Sequence, residues 1–382
     1  VEQAAALPND LRERVLAAGR SGGLAEVGTC SAEAFLDARQ ILHERKAAGL
    51  NSTMAFTYRN PERSTEPSRS LPDVATLVVG AYRYPSGVSE PPRGLAARVA
   101  RYATADYYGE LRVGLNAIAQ ELVRSGHRAV VLADDNALMD RAAAHRAALG
   151  WYGRSSNLLL PGQGSWFVLG SVLTDAQLGP SAEPVPDSCG TCQRCVESCP
   201  TGAIVADGVV DARRCLAWHL QMDGEFPREF REALGDRIYG CDECQEVCPP
   251  NRRLDLRDRQ TPAPPGAKGV GPWVDVNWLL TASDSDLLDK LGRWYIARRD
   301  PRILRRNALV ILGNIGDPAD SATVQLLERW IDDPDDLLAG HAAWAALRMN
   351  RADLLQHTER AERTAVRAEM ADPPPARQDS YS

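Results

Sequence analysis

The sequence predicts a multidomain α+β and α/β protein. It divides into a mixed α/β domain over residues 1–180, a cysteine-bearing domain over 181–255, helical HEAT-like repeats over 256–370 and a disordered tail over 371–382. Three observations predict this. Short β-type apolar runs alternate with a helical period early in the chain, eight of nine cysteines crowd into one stretch, and the C-terminal part carries amphipathic helical faces.

Taken in order, Ala75–Tyr82 and Ala129–Leu132 are apolar runs of strand length. Between them Leu111, Leu115, Ile118 and Leu122 recur at helical spacing, and the helix should end near Gly126. Trp166–Leu173 reads as a further buried strand, and Gly179-Pro180 through Pro186 breaks regular structure. The Pro/Gly-rich stretch Thr261–Pro272 is irregular by composition. Arg302–Gly313, Ser321–Asp332 and Leu337–Met349 each carry an apolar face, formed in the second by Val324, Leu327 and Ile331. Asp317-Pro318 and Asp333-Pro334 punctuate them, and a period of roughly forty residues suggests helical pairs that bury their faces by stacking.

A chain of 382 residues is too long for one ordinary core, and 44% hydrophobic with 25% charged residues is the composition of a folded chain. No run approaches the ~20 apolar residues of a spanning helix. Val1-Glu2-Gln3 lacks the basic and apolar regions of a secretory signal, so a cytoplasmic protein without membrane contact is expected. A net charge of −7 excludes a globally basic nucleic-acid binder but leaves room for a local basic face.

The cysteines carry the firmest chemical signal. Cys189-x2-Cys192-x2-Cys195-x3-Cys199-Pro200 has the bacterial ferredoxin spacing, and Cys241-x2-Cys244-x3-Cys248-Pro249 repeats its later part, with Cys215 as the missing early ligand. The spacing predicts two 4Fe–4S clusters with crossed ligands. Cys189, Cys192, Cys195 and Cys248 would hold one, and Cys199, Cys215, Cys241 and Cys244 the other. Paired zinc sites are the alternative, but these usually appear as separated C-x2-C pairs. Cys30, isolated, reads as a buried apolar-like residue.

Clusters relay electrons, so a site that uses them is expected elsewhere. Ser21-Gly22-Gly23 lacks a dinucleotide-binding fingerprint. The most pointed polar group is Asp134-Asp135-Asn136 after the strand ending at Leu132, followed by Asp140-Arg141. Carboxylates at such a strand end commonly face a ligand crevice, where a desolvated Asp holds a proton near neutral pH. The competing reading is a helix N-cap, which Asp and Asn also fill.

Several motifs resemble the epoxyqueuosine reductase family, the cobalamin-dependent iron–sulfur enzymes of tRNA queuosine synthesis. They are Met54-Ala-Phe-Thr-Tyr-Arg59-Asn-Pro61 with Leu71-Pro72, Ala100-Arg-Tyr-Ala103 leading to Asp106-Tyr107, Ala147-Ala-Leu-Gly-Trp151-x-Gly153 and Gly164-Ser-Trp-Phe167. Tyr239-Gly-Cys-Asp242-x-Cys-Gln245-x-Val-Cys-Pro249-x-Asn251 is the most specific, and Arg306-Asn-Ala-Leu and His341-Ala-Ala-Trp-Ala-Ala fit that family's helical end. The resemblance implies cobalamin bound over the N-terminal domain and fed by both clusters from an external low-potential donor. It also implies reduction of epoxyqueuosine at position 34 of tRNA, in the anticodon region. Asp134 becomes the proton donor, with Asp134, Arg59, Arg141 and Arg154 as expected cobalamin contacts.

The chain departs from the family pattern around this site. Tyr108 stands where the family usually has His, Asp135 and Ala137 stand in its Asp-Ser-x-Pro, and Arg154 replaces Lys. Two alternative functions follow: a related cobalamin iron–sulfur reductase for another epoxide or organohalide, and an electron-transfer module without substrate chemistry. For tRNA, Arg293, Arg298, Arg299, Arg302, Arg305 and Arg306, with Trp294 and Tyr295 to stack on bases, form the candidate basic face. A monomer is expected.

Overall fold

The computed structural model describes residues 8–85, 90–183, 185–258, 268–356 and 358–377. The chain divides into two compact units, each assembled from separate stretches: 1–88, 105–213 and 242–269 in the first, and 89–104, 214–241 and 270–382 in the second. This division follows spatial contact, whereas the three segments expected from the sequence follow the chain. Residues 181–213 and 242–255 of the cysteine segment belong to the first unit and 214–241 to the second.

The first unit is built on a four-stranded sheet in the order Glu26–Ser31, Thr76–Arg83, Phe167–Thr174 and Ala129–Ala133. Every neighbouring pair is antiparallel. Both faces are covered, which explains why the strands read as continuous apolar runs. Leu77, Val79 and Ala81 point to one face, where they pack with Leu169, Leu173, Ala143 and Ala144. The helix Tyr107–Arg124 covers the other through Leu111, Leu115, Ile118 and Leu122, all fully buried. It comes close because the sheet presents glycine there: a Cβ on Gly170 would lie 2.7 Å from a methyl of Leu115. Asp106 caps this helix by accepting from the amide of Gly109, and the helix ends at Arg124 as its apolar period requires.

The antiparallel topology corrects one part of the sequence argument. Asp134 was placed in a crevice by the rule for open parallel sheets. It instead follows an edge strand whose last pair, Ala133 with Gly170, is antiparallel.

The second unit holds a three-stranded sheet, Arg237–Tyr239, Ala96–Val99 and Trp273–Asp275, packed with helices. The C-terminal helices Arg302–Ile315, Ser321–Ile331 and Asp336–Arg348 occupy the expected positions. Asp320 and Asp335 start the last two by accepting from backbone amides of their first turns. Residues 372–377 are irregular, yet Arg377 donates to the Asn314 carbonyl at 3.0 Å. The rest of the expected disordered tail, and 261–267 of the Pro/Gly-rich stretch, lie outside the described residues.

Candidate active site and cluster ligands

Asp134 takes a left-handed backbone conformation (φ 54°), which Asp tolerates better than most side chains. The turn leaves its side chain accessible to solvent, although enough protein lies around it to desolvate the carboxyl in part. The helix that follows, Asp140–Arg146, has Met139 at its N-cap and no side-chain cap bond. Asp135 accepts from the Ala137 amide at 2.8 Å, and the Asn136 carbonyl accepts from Ser64 Oγ at 2.7 Å. The capping alternative therefore fails for Asp134. Its neighbours organise the loop and Asp134 is left over.

Burial raises the Asp134 carboxyl above the ordinary range, opposed by Arg112 and reinforced by Asp135. Arg112 is held in place by donating to the Ala133 carbonyl at 2.6 Å. Asp140 is raised further, by burial first and then by the charge of Asp134. Tyr108 completes the group: burial, Asp134 and Asp140 all push its hydroxyl upward, so it stays neutral and able to donate. Neither Asp134 nor Asp140 has a hydrogen-bond or ion-pair partner among the described residues. Arg112 carried no sequence signal, since it lies on a helix far from the motif.

The other expected contacts separate. Arg59 is exposed, with its guanidinium unpaired among the described residues. Arg141 is exposed and donates to the Ser156 carbonyl at 2.7 Å. Arg154 is engaged beside the cysteine loop. It donates to both carboxylate oxygens of Asp207 at 2.6 Å and to the Gly190 carbonyl at 2.7 Å.

Within the first unit, Cys248 interacts electrostatically with Cys189, Cys195 and Cys192. Burial first, and then these thiols, push its own thiol up to about 11. The amide of Cys189 donates to Asp187 at 2.8 Å. The Ala203 amide donates to Cys199 Sγ at 3.2 Å, and Asn157 Nδ2 to Cys244 Sγ at 3.7 Å. All eight cysteines of the segment are partly accessible, whereas Cys30 is buried, as expected, and its thiol is pushed up to about 12.

The family model for a 4Fe-4S double cluster binding domain matches residues 188–251. Epoxyqueuosine reductase of Bacillus cereus is 33% identical over 344 residues, covering 88% of each chain. That of Vibrio cholerae is also 33% identical, covering 85% of this chain and 88% of its own. The chain belongs to the epoxyqueuosine reductase family. It is thus an oxidoreductase, and its cysteine segment is a double 4Fe–4S domain. Two solved structures of the family superpose along nearly the whole length. One is a selenomethionine-labelled epoxyqueuosine reductase with a TM-score of 0.83, 27% identity and 96% of this chain covered against 98% of its own. The other is an epoxyqueuosine reductase with a tRNA-Tyr epoxyqueuosine-modified stem loop, with a TM-score of 0.82, 28% identity and the same coverage.

The basic segment 293–306 is corrected by the structure. Arg306 is fully buried and donates to the carbonyls of His219, Met222 and Gly224. Trp294 is also buried, stacked on Tyr239 at 4.5 Å between ring centroids. Arg302 pairs with Asp300 and Asp335, Arg305 with Asp284 and Arg298 with Asp223. Tyr295, Arg293 and Arg299 remain exposed, as do Arg298 and Arg302 in their ion pairs. The segment is largely structural, because its charges are used to satisfy backbone carbonyls and acids of its own unit.

Proposed function

We propose that this protein reduces epoxyqueuosine to queuosine at position 34 of tRNA, with two 4Fe–4S clusters supplying electrons and Asp134 supplying the proton. Membership of the family carries the reaction. The observation that carries the role of Asp134 is its unpartnered, protein-surrounded yet accessible carboxyl, beside Arg112 and Asp140. Of the three readings drawn from the sequence, family membership favours this one.

The residues of the Asp134 loop, of the helix after it and of the Arg59 segment suit a corrin, whose edge is rich in amides. Arg59 offers a free cation, Arg141 an exposed one, and Tyr108 a neutral hydroxyl. Ser64 and Arg63 tie the Arg59 segment to the Asp134 loop, through the Asn136 carbonyl and through Asp135 at 4.0 Å. When bound, cobalamin supplies a strongly reducing cobalt centre for opening the epoxide. The chain's own task is proton delivery. Charge develops on the departing oxygen, and a neutral carboxylic acid removes it. Burial raises Asp134 less than Asp140, and Arg112 opposes the rise, so the donor stays acidic enough to release its proton.

For the clusters we assign Cys189, Cys192, Cys195 and Cys248 to one and Cys199, Cys215, Cys241 and Cys244 to the other. The grouping of Cys248 with the first three supports the first set. Arg154 belongs to the support of the Cys189 loop in this reading. We further propose that the C-terminal helices are HEAT-like pairs, that Arg293, Tyr295 and Arg299 meet the tRNA anticodon region, and that the protein works as a cytoplasmic monomer with an external low-potential donor. Among the described residues no helix is long and apolar enough to cross a membrane. The test is anaerobic conversion of epoxyqueuosine-tRNA by protein loaded with both cofactors, read by nucleoside mass spectrometry.

A further inference from the structure

Converting an epoxide to an alkene breaks two C–O bonds, takes up two electrons and two protons, and releases one water. A low-potential one-electron donor provides the electrons through the clusters. One accessible carboxyl holds only one of the protons. A second must reach the same oxygen before it leaves as water.

The structure places a second acid beside the first. Asp134 and Asp140 bracket a short loop whose shape is fixed from three directions: Asp135 folds onto the Ala137 amide, Ser64 holds the Asn136 carbonyl, and Arg112 holds the Ala133 carbonyl. Asp140 reaches solvent only in part, and protein surrounds its carboxyl. It has no hydrogen-bond or ion-pair partner among the described residues, although Arg141 is its neighbour in sequence. Arg141 sends its guanidinium to the Ser156 carbonyl instead. Asp140 is therefore a largely enclosed carboxyl, and the exposed Asp134 is the charge that acts on it most strongly. The charged and titratable groups around it are Asp134, Asp135, Arg141, Tyr108 and, through Asp134, Arg112.

Building on the reaction proposed above, we propose that Asp140 is the proton reserve of the site and passes the second proton of each turnover to Asp134. The first proton goes from Asp134 to the oxygen as the first C–O bond opens. Asp140 then reprotonates Asp134, which delivers the second proton as the remaining C–O bond breaks and water departs. Asp134 and Asp140 each take a proton back from solvent before the next turnover. Two carboxyls sharing protons in this way titrate as a pair. Asp140 acts through Asp134 and does not itself touch the reacting oxygen.

The test uses the full chain loaded anaerobically with both clusters and cobalamin. Infrared difference spectra between acidic and alkaline pH, without substrate, should show a protonated carboxyl at neutral pH that disappears in Asp140→Asn. With epoxyqueuosine-tRNA, Asp140→Asn should lose about 10- to 100-fold in kcat at unchanged KM. The alkaline fall of its pH–rate profile should move to lower pH, and Asp140→Glu should restore most of the rate. Iron content and the cluster spectrum of each variant show that it has folded. An unchanged infrared band in Asp140→Asn, or full kcat with an unmoved alkaline limb, overturns the proposal. A loaded wild-type protein that leaves epoxyqueuosine-tRNA intact overturns the reaction instead, and the infrared band still decides for or against the proton reserve.

Discussion

The carboxamide of Asn251 grips Ser165 from both ends: its oxygen accepts from the Ser165 amide at 2.7 Å and its nitrogen donates to Ser165 Oγ at 2.8 Å. The same nitrogen donates to the Gln245 carbonyl at 2.8 Å. Gly164 makes this possible, because a Cβ there would lie 1.9 Å from Asn251 Oδ1. Two motifs far apart in the chain thus form one joint under the last cluster cysteine. Asn251→Ala leaves the Ser165 amide and the Gln245 carbonyl without their partner and should cost about 1–3 kcal/mol. The expected outcome is a lower Tm and faster loss of iron on dilution into chelator; wild-type iron retention would contradict it.

Cys195→Ser and Cys248→Ser should impair the same cluster although they lie in different loops. Electron paramagnetic resonance of the reduced variants should show one common surviving signal, while Cys244→Ser leaves the other. Three different spectra would break the crossed assignment.

His341 is buried, donating from Nδ1 to the Leu337 carbonyl at 2.6 Å and accepting at Nε2 from the Phe226 amide at 3.2 Å. Burial holds its pKa well below the ordinary value, so the unfolded chain takes up a proton that the folded one refuses. This contribution to stability is complete above the unfolded pKa of about 6.5 and declines as pH falls below it, by about 1.4 kcal/mol per pH unit. Urea unfolding followed from pH 7.5 to pH 5 should show that decline, and His341→Gln should flatten it.

Arg306 and Arg299 lie seven residues apart and should behave differently. Arg306→Met strips the partner from three carbonyls, the His219 one buried, and removes a fully buried guanidinium's role in holding them, so it should lower Tm sharply. Arg299→Ala should leave Tm unchanged. It should weaken tRNA binding and reduce the slope of log affinity against log salt by about 0.7–0.9 if one phosphate contact is lost. Binding measured at several salt concentrations checks both.

Much of this was legible in the chain. Periodicity placed the Tyr107–Arg124 helix, because Leu111 through Leu122 needed a single buried face. Cysteine spacing placed the clusters, because cubane geometry leaves few alternatives. Burial of individual arginines was not legible. Composition shows six cations between Arg293 and Arg306, but the carbonyls that claim Arg306 come from His219, Met222 and Gly224, more than eighty positions earlier. The engagement of Arg154 with Asp207 was hidden for the same reason. In the sequence Asp140 only follows the Asp134 group and carries no role of its own, since enclosure and the lack of a partner appear only when the chain is folded.

The most direct test compares wild type and Asp134→Asn, each loaded anaerobically with iron–sulfur clusters and cobalamin, on epoxyqueuosine-tRNA with a low-potential donor. Nucleoside mass spectrometry should show queuosine from the wild type. The variant, with matching iron content and corrin spectrum, should be slower by at least about 100-fold. Equal turnover by Asp134→Asn, or none by the loaded wild type, would contradict the account.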